Sequence, residues 1–218
     1  MDFLHNWVEY LPEMLSGLKL SLLIAAVSIV AGYPLGLGLS LMTASKNLAA
    51  RAVGLAVVEI GRGAPALVIL YLVYYGLPKF GISFESLTAA YIGLTWNAAA
   101  YSSEMFRAGL QSVPRGQIEA SQALGLHSWP IFYRVRLPQG LRSASPGLMG
   151  LAIQMFQGTS LAYGIAVPEL MKTSYSIGSR TFNYLEVFIL AGLVYACISM
   201  PATWITVYFE RRIHRRYA

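Results

Sequence analysis

Charge is scarce in this chain: 12% of its 218 residues are Asp, Glu, Lys or Arg, while 56% are hydrophobic. Ordinary soluble domains carry about twice that share of charge, roughly 25%. Water is therefore excluded as the solvent for much of the surface. Cysteine is nearly absent, and Cys197, alone within an apolar run, can form neither an internal disulfide nor a thiolate ligand set. No Gly-Lys-Ser or Gly-Lys-Thr triplet occurs, so a phosphate loop is not expected and the chain is not expected to be an ATPase itself. Gly36 with Gly38, and Gly61 with Gly63, lack the rest of any nucleotide fingerprint. His5, His127 and His214 are scattered without ligand spacing, so no metal, cofactor or catalytic triad is expected. Before Met14 stand Asp2, Glu9 and Glu13 but no Lys or Arg. The basic start of a cleavable signal is missing, and the first apolar stretch is expected to be retained.

What the sequence does have is long apolar runs, at roughly 15–42, 53–77, 87–106, 146–167 and 187–209. A bilayer core of about 30 Å takes roughly 20 helical residues per crossing, so each run suffices for one span. Backbone groups in lipid must be satisfied within the segment, and no strand alternation is visible, so the runs are read as helices rather than barrel strands. The expected fold class is an all-α integral membrane protein of about five spans, a single domain over residues 1–218. The net charge of +6 comes from basic clusters between the runs rather than from one polar face, which argues against nucleic acid as a partner. Lys46 and Arg51, then Arg107, Arg115, Arg134, Arg136 and Arg142, then Arg211, Arg212, Arg215 and Arg216 mark three cytoplasmic segments by the positive-inside bias. The amino terminus, the Lys79–Glu85 turn and a loop from Glu169 to Asn183 then lie outside, and the carboxyl terminus inside. Trp7, Tyr10, Trp204, Tyr208 and Phe209 stand near the boundaries. Gly32 with Gly36, and Gly147 with Gly150, permit close helix approach.

The segment 112–138 is too long for a simple connector. Pro114 suits a first helical turn, Ala120, Ala123 and Leu124 share one face, and Gly125 suits a left-handed stop. A second stretch, Trp129 to Leu137, is expected to end at Pro138. Within this segment Glu119-Ala120-Ser121, then Gly125, then Val135-Arg136-Leu137-Pro138 resembles the signature loop of bacterial ATP-binding-cassette importer permeases. Ser121 replaces the family's final Ala and Val135 its Ile. The resemblance extends through Arg62-Gly63-Ala64-Pro65, Asn97 to Glu104 with Arg107, Thr159-Ser160-Leu161, Val167-Pro168-Glu169-Leu170 and Phe209-Glu210-Arg211-Arg212. Together these are similar to the polar-amino-acid branch of that family (histidine, glutamine and glutamate permeases).

The resemblance implies a type I importer permease fold in a bacterial inner membrane, with Glu119, Ala120, Ser121, Gly125, Leu137 and Pro138 coupling to the ATPase. It implies two copies of an ATPase subunit, a second permease chain, diverged or identical, and a periplasmic or extracellular substrate-binding protein as partners. Its mechanism would be alternating access. Charged groups within spans usually face a partner or a wet cavity, which singles out Glu59, Arg62 and Glu104. Glu59 with Arg62, and Glu104 with Arg107, also have the spacing of helix-surface pairs. The expected substrate path comprises Arg62, Asn97, Tyr101, Glu104, Gln157, Thr159 and Ser160. The family's amino-acid permeases often carry Lys-Asp where this chain has Gln157-Gly158. Loss of that Asp disfavours a cationic cargo and, with Arg62 present, favours an anionic or neutral polar amino acid. The runs Phe156 to Tyr163 and Ala191 to Tyr195 resemble a permease subunit of glutamate/aspartate importers. Glutamate or aspartate is therefore the expected cargo, with a neutral or cationic amino acid or an opine as the alternative. An ion-coupled transporter would need its own repeat and ion site. Neither is apparent.

Overall fold

The structure, a computed structural model of the 218-residue chain, describes residues 3–214, with side chains from 6 to 212. Asp2, Arg215 and Arg216 lie outside the described residues, as do the side chains of His5 and His214. Every regular element among the described residues is helical. In chain order these are α1 (Phe3–Thr43), α2 (Leu48–Gly63), α3 (Ala66–Tyr71), α4 (Ser86–Gln111), α5 (Arg115–Ala123), α6 (Ser128–Ile131), α7 (Leu137–Gly158), α8 (Leu170–Thr181) and α9 (Tyr184–His214).

Two stretches, Asn6–Thr43 and Tyr184–Arg212, are long and apolar enough to cross a membrane alone. Helix α1 starts well before the expected Leu15 because Trp7, Tyr10 and Met14 already pack on Leu170, Ile177 and Val187 of the last two helices. The run expected at 53–77 is not one rod: α2 and the segment Ala66–Phe80 meet at 109°. Pro65 is the cause, since it has no N–H to continue the α2 ladder and its ring disfavours a helical residue before it; Ala64 is extended, with φ −84° and ψ 138°. Beyond α3 the chain widens into a π turn, Leu72–Gly76, and then tightens in a 3-10 turn, Leu77–Phe80.

Helix α4 is the innermost rod. Helix α4 packs against α1, α2 and α7, with Ala98, Ala99, Ala100, Ser102 and Ser103 all buried. A helix enclosed by protein needs small residues more than apolar ones. At Gly32 of α1 a Cβ would come 2.8 Å from the Cβ of Ala98, and at Gly36 it would collide with Ser102 and the Ala99 carbonyl. The Gly32/Gly36 pair therefore serves an internal seam with α4. Gly109 and Gly140 do the same for α4 against α7: a Cβ on Gly140 would meet Leu110 Cδ2 at 2.8 Å and Leu110 Cα at 3.0 Å.

Two expectations are corrected. The stretch from Trp129 does not end at Pro138: α6 passes through a π turn, Phe132–Arg136, directly into α7, where Pro138 occupies the first turn. There its missing N–H is harmless. The fourth helix consequently begins at Leu137, with Pro146 inside it rather than at its start. The segment expected as a loop after Glu169 is mostly helix α8, packed on α1 and α9.

Candidate functional site

The break between α2 and α3 leaves carbonyls without helical partners, and α4 supplies donors for them. Gly61 O would bond the N–H of residue 65, which is proline; Asn97 Nδ2 donates to it instead, at 2.9 Å. Tyr101 OH donates to Arg62 O at 3.3 Å, and further back, inside α2, Trp96 Nε1 adds a bond to Val57 O at 3.1 Å. Asn97 is buried, 4% exposed, so its amide serves this joint. The exposed end of the same joint carries the charge. Arg62, in the last turn of α2 where a cation is favoured by the helix dipole, lies 3.8 Å from Glu104 Oε1 and 6.0 Å from the Tyr101 ring centroid. Glu104 also accepts from Arg107 Nε and Nη2. Arg62 thus pairs across to α4, and not with Glu59 on its own helix as the spacing suggested; Glu59 is exposed.

The third polar group lies where α7 gives way to a 3-10 segment, Thr159–Ile165. Gln157 is exposed, and Ser160 Oγ donates to its carbonyl at 2.8 Å. Thr159 is fully buried and its hydroxyl donates to Phe156 O at 2.7 Å, so it closes the end of α7 rather than facing an open path.

At the other functional segment, α5 begins at Arg115 behind Pro114 and stops at Gly125, whose φ of +78° only glycine adopts without strain. Ser121 faces inward, 8% exposed, with its hydroxyl donating to Gln117 O; Gln139 Nε2 donates to Gln117 Oε1 at 2.7 Å and fixes α5 to α7. Glu119, Ala120, Ala123 and Leu124 all face outward. Leu124 is 81% exposed and Trp129, stacked on Phe132, 69% exposed. The segment thus presents Leu124 and Trp129 on a mixed polar and apolar surface that none of the described residues covers.

Residues 32–215 match the family described as "Binding-protein-dependent transport system inner membrane component". The chain belongs to this family. This permease is 38% identical over 211 residues to YckA of Bacillus subtilis, a probable amino-acid ABC transporter permease, covering 97% of this chain and 92% of that one. It is 33% identical to the arginine transport permease ArtQ of Bacillus subtilis, covering 94% of each chain. To the glutamate/aspartate import permease GltK of Escherichia coli O6:H1 it is 34% identical, covering 94% and 95%. Among solved structures, an amino acid ABC transporter crystallised with histidines superposes with a TM-score of 0.90 at 32% identity, over 97% of this chain and 99% of that one. The permease is accordingly an all-helical, multi-pass inner-membrane component and has no ATPase domain of its own.

Sequence reading missed one polar centre of the permease. The Glu169 carboxylate is fully buried, yet it accepts from four donors: Met171 N at 2.9 Å, Lys172 N at 2.8 Å, Tyr195 OH at 3.0 Å and Ser21 Oγ at 3.2 Å. It caps α8 while joining α1 to α9. Glu-Leu-Met-Lys after a proline was the available signal, an acidic N-cap before an amphipathic stretch. Among the described residues no cluster of His, Cys, Asp or Glu has the makings of a metal site.

Proposed function

We propose that this chain is the permease subunit of an ATP-binding-cassette importer for polar amino acids, with glutamate or aspartate as cargo. The observation that carries the cargo is the cluster at the α2–α4 joint: Arg62 and Arg107 flank the single carboxylate of Glu104, leaving one positive charge in that cluster unbalanced. A guanidinium with donors to spare captures a carboxylate well. Gln157 and Ser160 add neutral hydrogen-bonding groups and no anion that would recruit a cationic side chain. Names of relatives at like identity include both arginine and glutamate/aspartate transport, so the general cargo class has support from kinship and the acidic choice rests on the charge cluster.

In this reading the chain crosses the membrane with its amino terminus outside and its carboxyl terminus in the cytoplasm. Segment 112–138 seats on one of two ATPase copies through Leu124, Trp129 and the Glu119 face. A second permease chain completes the path, and a soluble binding protein delivers the amino acid. ATP-driven closure of the ATPases draws the two coupling segments together and the bundles rock about the bound substrate. Uptake of labelled glutamate into vesicles carrying the whole complex tests the cargo: excess unlabelled aspartate abolishes it if the proposal holds. Uptake of another labelled amino acid that neither glutamate nor aspartate diminishes would overturn it.

A further inference from the structure

Lys172 occupies an odd place. It lies in the first turn of α8, where the helix dipole disfavours a cation, and among the described residues it belongs to none of the ion pairs. Its backbone N–H bonds Glu169, but its ammonium does not turn to that carboxylate, which already holds its four donors. It sits instead 5.4 Å from the ring centroid of Tyr163 and 5.8 Å from that of Tyr175. Both distances fall within the range at which an aromatic face attracts a cation. The two rings are themselves 5.2 Å apart, and Tyr184 backs Tyr175 at 5.7 Å, so the cage is built and filled.

Tyr163 connects this cation to the polar row already described. In a 3-10 helix the side chains at i and i+3 eclipse, so Ser160 and Tyr163 of the Thr159–Ile165 segment share one face. Gln157 stands one turn earlier, with its carbonyl held by Ser160. The row therefore runs Gln157, Ser160, Tyr163 and ends under the Lys172 ammonium. An amino acid passing along it brings one ammonium and one carboxylate in every case, so discrimination falls on its side chain. A cationic side chain meets a fixed positive charge and finds the aromatic faces taken. An anionic one meets attraction.

We infer that Lys172 is a specificity-determining residue, a fixed charge at the end of the Gln157–Ser160–Tyr163 row that turns away cationic substrates. The inference deepens the cargo reading above and rests on its assignment of Gln157 and Ser160 to the substrate path. The test is equilibrium binding of labelled glutamate, glutamine and arginine to the purified complex with its native ATPase and partner permease, without the binding protein, whose own selectivity would mask the effect. Wild type favours glutamate over arginine. Lys172→Met narrows that ratio about a hundredfold, because one unit charge at about 10 Å in a medium of effective dielectric near 20 is worth roughly tenfold on each ligand, weakening glutamate and strengthening arginine. Lys172→Arg keeps the wild-type ratio, which a loss of packing alone would not explain. Because a ratio is read, reduced yield of a variant does not obscure the result, and Lys172→Gln serves if the Met variant fails to assemble. An unchanged ratio on removal of the charge, or a wild type that binds arginine as well as glutamate, overturns the inference. A wild type that binds glutamine but not glutamate sinks the acidic cargo instead, and the filter is then read from the glutamine-to-arginine ratio.

Discussion

Asn97 shows how a residue's chemistry can be plain in the sequence while its task is not. A polar amide in an apolar run is rightly singled out, and the run's neighbours Tyr101 and Glu104 drew it into the expected substrate path. Its partner is a backbone carbonyl, Gly61 O, freed because the residue four positions on is Pro65. Only the crossing of α2 by α4 brings them together, and no spacing within one segment encodes that. Asn97→Ala leaves a buried acceptor unpaired, at a cost of about 1–3 kcal/mol. The expected outcome is a melting temperature for the detergent-solubilised complex lower by about 5 °C, since a chain of this size loses roughly 2–4 °C per kcal/mol. Arg62 and Glu104 were legible as a charged pair of interest, but helical spacing pointed each to a neighbour on its own helix. The structure keeps Glu104 with Arg107 and gives Arg62 to Glu104 as well. Glu169 was hidden for another reason: an acidic residue beside a proline reads as a solvent-exposed turn, whereas its four donors come from three helices.

Among the elements, long apolar runs announced α4 and α9 closely, because lipid and tight packing both demand them, while the runs at 15–42 and 146–167 announced α1 and α7 but missed their starts at Phe3 and Leu137. The ends were less legible. The start of α1, the passage of α6 into α7 and all of α8 depend on neighbours that satisfy polar groups or bury single faces, and a hydropathy pattern does not record neighbours. The glycine seam of α4 against α7 was equally silent, since Gly109 and Gly140 lie far apart in sequence. It is testable. Gly109→Val drives side-chain atoms into the α7 backbone at Gly140 and Ala144. Overpacking costs about 1–3 kcal/mol, and a clash this close to backbone falls at the upper end of that range, so we expect melting to fall by about 10 °C or assembly to fail. Gly38→Val, whose Cβ points into open space on α1, is the matched control and changes melting little. Measuring both by thermal unfolding in detergent separates the seam from the general cost of replacing glycine.

At the scale of the whole molecule, two surfaces explain why this bundle is incomplete alone. The charged α2–α4 joint is exposed on one side, with Arg62 and Glu104 side chains 36% and 27% accessible. The segment α5–α6 leaves Leu124 and Trp129 exposed, with none of the described residues covering them. In the proposed function the first faces cargo and the second the ATPase. The motif at 112–138 was the most legible feature of the sequence because its residues lie in one continuous stretch, while the groups of the α2–α4 joint come from helices that meet only in the fold. The central claim is that work enters through α5. Its most direct test is the amount of ATPase retained on affinity-tagged, membrane-inserted protein co-produced with its native partners. Wild type should retain the ATPase, and Glu119→Arg should insert equally well yet lose at least about tenfold of it, the equivalent of roughly 1.4 kcal/mol at the interface. Equal retention in the variant, or no nucleotide-hydrolysing partner on the wild type, would contradict the account.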